Sequence, residues 1–219
     1  MPDRNTKDQS LKKRIAVFII ACFLITAFTF LGGLAYLIGA RWLRILLSTV
    51  TYLMIGCVAL VAMKITGIKL EFDFKNPKQY LIGVGIALIL SLFIAFIPAL
   101  CGCSLVGQHK DFSWFGVVYS FLFYFLVVGP IEELVFRVFV QETLISLFQN
   151  GWIGVVLAAL FFGLSHLING SFIQVAFTFG IGLVFGVSKY KIRECKYPGL
   201  ALGHGLYDFL NEIVRFFVA

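Results

Sequence analysis

Charge is scarce in this chain: 13% of its 219 residues are Asp, Glu, Lys or Arg, where an ordinary soluble domain carries roughly 25%. Apolar side chains take the space, at 60% of residues and a mean hydropathy of +0.97. That balance excludes a soluble enzyme, a collagen-like fibre and a disordered chain. Cysteine is too sparse and scattered for a disulfide framework, since there are five, an odd number. Cys22 and Cys57 fall inside apolar runs, where a thiol packs as a small hydrophobe, and Cys101 and Cys103 have no second pair with which to hold zinc. There is no internal repeat, no low-complexity linker and no HExxH. The net charge of +7 is not gathered into a patch: the basic residues stand between apolar runs, as topology signals, and no nucleic-acid partner is expected.

What is present is a series of apolar runs. A polar segment, residues 1–14 with Arg4, Lys7, Lys12, Lys13 and Arg14, precedes a run from about Ile15 to Gly39. That run is too long for a signal-peptide core and lacks a small-residue cleavage site, so it reads as a first membrane helix behind a cytoplasmic tail. Further runs lie at roughly 43–63, 80–100, 114–149, 152–168, 171–188 and 199–218. The expected fold is all-α: a polytopic membrane helix bundle of about seven transmembrane helices, one membrane domain over 15–219, with no room for a separate soluble domain. With a cytoplasmic N-terminus, thirteen basic residues of the tail and loops fall inside and three, Arg41, Arg44 and Lys110, fall outside. This is the positive-inside asymmetry of a multi-pass plasma-membrane protein, and seven crossings put the C-terminus outside. Gly129-Pro130 interrupts the fourth run and predicts a kink or a fresh helix start at Pro130. Gly182 and Gly186, then Gly199 and Gly203, make smooth helix faces, for packing within the chain or for a homodimer.

An ionisable side chain at the bilayer centre costs about 2.5 to 3.5 kcal/mol on insertion scales. The first three runs carry essentially none at their centres, whereas the later ones carry Glu132, Glu133, Arg137, His166, His204 and Asp208, which suggests one shared polar chamber. The two glutamates fall in the first turn after Pro130, where the helix macrodipole favours negative charge. Glu133 and Arg137 stand i, i+4 with the acid first, a favourable pair. That leaves Glu132, about 100° further around the helix, to face a cavity. Phe162 and His166 are likewise four apart, as are His204 and Asp208, so each pair shares a helix face. Taken singly, the motifs read equally well as a capped kink, a hydrogen-bonded packing histidine and a structural His-Asp pair.

Taken together and in this order, Glu132-Glu133-x-x-x-Arg137, Phe162-x-x-x-His166 and His204-x-x-x-Asp208 resemble the family of CAAX prenyl endopeptidases and bacteriocin-processing or bacteriocin-immunity proteins, known as CPBP or Abi. The resemblance covers about residues 113–219. It implies an intramembrane endopeptidase in which Glu132 and His166 activate water, His204 and Asp208 stabilise the oxyanion, and Glu133, Arg137 and Phe162 give structural support. Some members carry Asn at the position of Asp208. An ionised Asp cannot donate to an oxyanion, so Asp208 is either protonated or orients His204. Amide hydrolysis requires a base for water and donors aimed at the developing negative charge, one good donor being worth about 2.7 to 4 kcal/mol. The substrate implied is a membrane-associated or lipidated peptide or protein, met in the lipid bilayer. Its identity, whether a prenylated protein, a bacteriocin leader or a signalling peptide, is not written in the sequence.

Three other readings compete. Two His and a carboxylate with an open position also make a catalytic zinc pattern, although the resemblance favours a mechanism with no cofactor and no metal. A non-catalytic membrane immunity or regulatory protein could use the chamber to hold a peptide or a partner's helix. A proton-coupled transporter also keeps Glu and His inside a bundle, but this chain lacks the repeat and the paired broken helices of that class.

Overall fold

The computed structural model describes residues 4–168 and 170–217. Among them seven helices follow one another, α1 (Arg4–Leu34), α2 (Arg41–Thr66), α3 (Pro77–Leu100), α4 (Trp114–Phe148), α5 (Gly151–Ser165), α6 (Phe172–Lys191) and α7 (Tyr197–Val214), and no strand occurs. The all-α fold is as expected. The basic segment before Ile15 is helical from Arg4 onward and runs into the first span without a break; residues 1–3 of it lie outside the described residues.

The count of crossings divides differently from the seven apolar runs. α2, α3, α4, α6 and the Gln9–Leu34 part of α1 are long and apolar enough to cross a membrane. α5 is apolar, but its 15 residues reach only about 22 Å, short of a hydrocarbon core of about 30 Å. α7 falls out because His204, Asp208 and Glu212 dilute its apolar face; Leu200, Ala201, Tyr207 and Val214 on it are buried. Large side chains on the outside of the spanning helices, such as Phe23 on α1, Phe93 on α3 and Leu126 on α4, are more than half exposed. A surface of that kind suits lipid and not water, and the chain is an integral membrane protein.

Local chemistry sets the helix ends. Asn76, Ser113 and Asn150 each accept a hydrogen bond from a backbone N–H of the first turn of α3, α4 and α5, satisfying donors that a helix start leaves unpaired. Gly67 closes α2 at φ 78° with its N–H on the Met63 carbonyl, a conformation that costs glycine little. The prolines inside α3 and α4 do not break them. Pro98 follows a π turn at Leu92–Phe96, and Pro130 follows one at Tyr124–Val128. Proline lacks an N–H and its ring crowds the carbonyl four residues back. A wide i→i+5 turn placed there gives that carbonyl another arrangement. The expected fresh start at Pro130 is therefore absent: Val128 and Gly129 are helical, and Glu132 sits about five turns into α4, beyond the reach of its N-terminal dipole.

The chain forms two compact units. One holds the residues up to Leu70 together with Leu134–Gly186; the other holds Glu71–Glu133 and the residues from Val187 onward. In the first unit α1 packs along α2, and the end of α4 turns back onto α5 at Gln149. Gly154 makes that turn close, since a Cβ there would stand 2.8 Å from the Ile145 nitrogen. Gly182 and Gly186 are occupied within the unit, Gly182 against Phe162 and Ala159 and Gly186 against Gln141 and Val155.

In the second unit α7 lies against α3 and against the Trp114–Glu133 part of α4. Gly199 approaches the Gln79 carbonyl and Gly203 the Gly83 carbonyl, where a Cβ would stand 2.2 and 2.5 Å away. Further on, Ala95 meets Val214, so α3 and α7 run side by side in the same direction. On its other flank Gly205 touches the Tyr124 carbonyl, and Gly129 the Ala201 carbonyl. The second GxxxG pair is thus used inside the chain, and glycines on both sides of His204 bring its backbone down onto two neighbouring helices.

Candidate active site

The histidine set between Gly203 and Gly205 is almost fully buried, and three carboxyl groups reach its ring. Nδ1 lies 2.8 Å from Glu133 Oε1. Nε2 faces Glu132 Oε2 at 3.4 Å and Asp208 Oδ2 at 3.5 Å. Glu133 is wholly buried, whereas Glu132 and Asp208 keep 12% and 22% of their side chains exposed. The ring is therefore held from one side and presented on the other. Nδ1–H donates to Glu133, which fixes the plane of the imidazole, and Nε2 stands at the more open end with the other two carboxyl groups. For Nε2 also to donate to an oxyanion, the ring must carry both protons.

Sequence spacing pairs Glu133 with Arg137 and leaves Glu132 to a cavity; within the second unit both glutamates also reach His204. Glu133–Val140 is π-helical, so side chains there advance differently from the 100° of an α-helix. Two adjacent residues straddle an inserted ring, one at each nitrogen.

Two further groups extend the cluster, and the sequence reading missed both. Tyr197, at the start of α7, donates its hydroxyl to the Pro130 carbonyl at 3.0 Å, two residues before Glu132. Glu212 continues the face of His204 and Asp208 by another four residues; it is buried and held by Lys110 and by Arg215 Nη1, the latter at 3.0 Å. Its i+4 spacing from Asp208 was the available signal. Tyr197 offered none beyond its place before Pro198. The loop bearing Lys110 is fastened to the same end of α7, for Arg215 Nε donates to the Gln108 carbonyl and the Lys110 N–H to the Arg215 carbonyl, both at 3.0 Å.

The first unit gathers the remaining motif residues. His166 ends α5, with Nδ1 2.9 Å from the Phe162 carbonyl and 3.3 Å from Ser165 Oγ. Donation from Nδ1–H to a carbonyl leaves the lone pair on Nε2, the nitrogen suited to take a proton. Phe162 packs edge-on against His166, with centroids 4.8 Å apart, and against Phe136 at 4.9 Å. The Arg137 guanidinium, fully buried, lies 5.1 Å from the centre of the Phe162 ring, a cation–π contact. Phe162 thus backs both polar groups. Glu132, Glu133, His204 and Asp208 come together in the second unit, and Arg137, Phe162 and His166 in the first.

Among the described residues, no three His, Cys, Asp or Glu side chains are arranged to hold a metal ion, and the five cysteines are free thiols.

Fold and cluster together define a polytopic membrane protein with a buried centre of carboxyl groups around an imidazole. Residues 114–210 match the family model described as type II CAAX prenyl endopeptidase Rce1-like, so the resemblance carried by the three motifs holds across the stretch that contains all of them. That family is one of proteases. No curated protein and no solved structure matches the chain.

Proposed function

We propose that the protein is an intramembrane endopeptidase that hydrolyses a peptide bond of a membrane-associated or lipidated peptide or protein. The observation that carries this reading is the His204 ring, held at Nδ1 by buried Glu133 and offered at Nε2 to Glu132 and Asp208. Glu132 is the base that takes a proton from water, with His166 sharing that role. His204 stabilises the negative charge that develops on the carbonyl oxygen, and Asp208 supports it. Glu133 positions His204; Arg137 and Phe162 are structural. The reaction uses no metal: a strong chelator leaves turnover unchanged, and loss with rescue by zinc would reassign the mechanism. The enzyme works in the plasma membrane with its N-terminus in the cytoplasm, in bacteriocin processing or self-immunity.

The test is comparative proteomics of membrane and secreted peptides from cells carrying the parent or Glu132→Gln, at matched protein levels. An uncut precursor that accumulates only with Glu132→Gln supports the reading. Identical peptide profiles with retained biological effect would make the protein a non-catalytic immunity or regulatory protein.

A further inference from the structure

Along α7, Tyr197, Ala201 and Gly205 stand at i, i+4 and i+8 and so share one face, and all three meet α4. The Tyr197 hydroxyl donates to the Pro130 carbonyl at 3.0 Å, the Ala201 carbonyl lies where a Cβ on Gly129 would stand 2.5 Å away, and Gly205 touches the Tyr124 carbonyl. The two helices therefore run in opposite directions. Alanine and glycine let their backbones approach closely, but such packing has no preferred direction. The hydroxyl bond is directional, and it fixes where along α7 the turn at Pro130 stands.

Pro130 is also where the winding of α4 changes. The Glu133 N–H is shared between the Gly129 and Pro130 carbonyls, and π winding begins at Glu133. One donor serves two carbonyls at the changeover, although each carbonyl oxygen has two lone pairs. Tyr197 brings a further donor from another helix. The tyrosine ring is held in its turn: Pro198 follows it in the first turn of α7, where proline suits a helix start. Phe72 packs edge-on against it with centroids 5.6 Å apart, and the Lys196 Nζ, one residue earlier, lies 2.7 Å from Glu71 Oε2.

The two glutamates depend on that junction. They are adjacent in sequence, yet Glu133 must reach Nδ1 of His204 at 2.8 Å and Glu132 must face Nε2 at 3.4 Å. Glu133 is anchored by the shorter contact, whereas the turn that carries Glu132 sets where it stands. We infer that Tyr197 is a positioning residue for the hydrolysis: its hydroxyl pins the change of winding at Pro130 and so keeps Glu132 on the Nε2 side of His204, where water is activated. The inference rests on the endopeptidase reading and assigns Tyr197 a role that runs through the Pro130 carbonyl.

The experiment uses the full chain in nanodiscs, with the imidazole nitrogens of its three histidines isotopically labelled and assigned by single replacements. Tyr197→Phe keeps the ring against Phe72 and removes the hydroxyl alone. In that variant the His204 Nε2 resonance should move, while the Nδ1 resonance, bound to Glu133, should stay near the parent's. On a precursor that Glu132→Gln leaves uncut, kcat of Tyr197→Phe should fall about 10²-fold with KM little changed, the result of a small misplacement of a catalytic group. Para-aminophenylalanine at position 197 restores a donor and should recover most of the loss. An unchanged Nε2 resonance, or full turnover in Tyr197→Phe, overturns the inference. Loss of membrane accumulation by Tyr197→Phe overturns it too, by making the bond a folding contact. If Glu132→Gln leaves every peptide cleaved as in the parent, the endopeptidase reading fails instead, and the resonances, which need no substrate, still decide whether Tyr197 holds the junction.

Discussion

Glu133 and His204 stand 71 positions apart in sequence and 2.8 Å apart in space. The contact is buried on both sides, so each residue is the other's condition for being there. Replacing Glu133 by Gln keeps the shape and removes the charge that orients the ring. We expect turnover to fall about 10²- to 10⁴-fold, as for the orienting acid of a hydrolytic triad, with little change in protein level. Glu133→Ala should also lower the melting temperature, because a buried imidazole N–H left unsatisfied costs about 1 to 3 kcal/mol. Thermal unfolding in detergent beside a peptide-processing assay separates the two effects. Full turnover in Glu133→Gln would show that the ring needs no anchor.

Asp208 faces the same Nε2 as Glu132, which makes it a partner of His204. Asp208→Asn should therefore reduce activity substantially at every pH. A pH-rate profile decides this: much retained activity, with less loss than the parent at high pH, would make Asp208 a protonated donor instead.

Glycines on α3 divide sharply. A Cβ at Gly83 would stand 1.9 Å from the Gly199 carbonyl oxygen, whereas one at Gly85 meets nothing within 4 Å. Gly83→Ala should force α3 and α7 apart and abolish accumulation in the membrane. Gly85→Ala should accumulate normally and gain up to about 1 kcal/mol from reduced backbone freedom in the unfolded chain. Equal levels of the two variants, measured by quantitative immunoblot, would contradict the close approach.

Glu212 is buried and faces both Lys110 and Arg215. Lys110→Ala strips one counter-charge and should cost about 1 to 3 kcal/mol. The double change Lys110→Met with Glu212→Leu should cost less than either single change, since an apolar pair avoids the desolvation penalty. Additive losses in a thermal double-mutant cycle would argue that the residues are independent.

The ion pair of Glu71 with Lys196 has a small and directional effect. The carboxyl is held below its usual range in the folded chain, so the stabilisation is present above the unfolded value of about 4.3 and disappears as pH falls below it. Glu71 is largely exposed, and the pair is worth under about 1 kcal/mol. Lys196→Gln should lower the melting temperature slightly at pH 7 and not at pH 3.

How far the sequence could be read depended on whether the relevant physics was local. Helix content, membrane residence and the i, i+4 grouping of His204 with Asp208 follow from periodicity along one element. The union of Glu133 with His204 does not, because it is made by two helices brought together at Gly129 and Gly205, and no rule of spacing relates residues on different helices. Pro130 was legible only in part, for a similar reason. Its missing N–H was legible, but the π turn at Tyr124–Val128 that absorbs the defect is a response of the whole helix. Glu212 was legible and overlooked.

The π turn before Pro130 also gives the chain a place where its length can change without disturbing the centre. Such a turn amounts to one surplus residue inserted in an α-helix. Its five residues sweep about the same angle, roughly 400°, as four residues of α-helix, so deleting a single residue from Tyr124–Val128 would let the segment relax to ordinary winding and leave Glu132 and Glu133 on the His204 ring. A deletion within Gly129–Ile131, where no surplus residue is stored, would instead swing both glutamates by about 100°. Homologous sequences one residue shorter here should therefore be aligned with the gap inside the π turn.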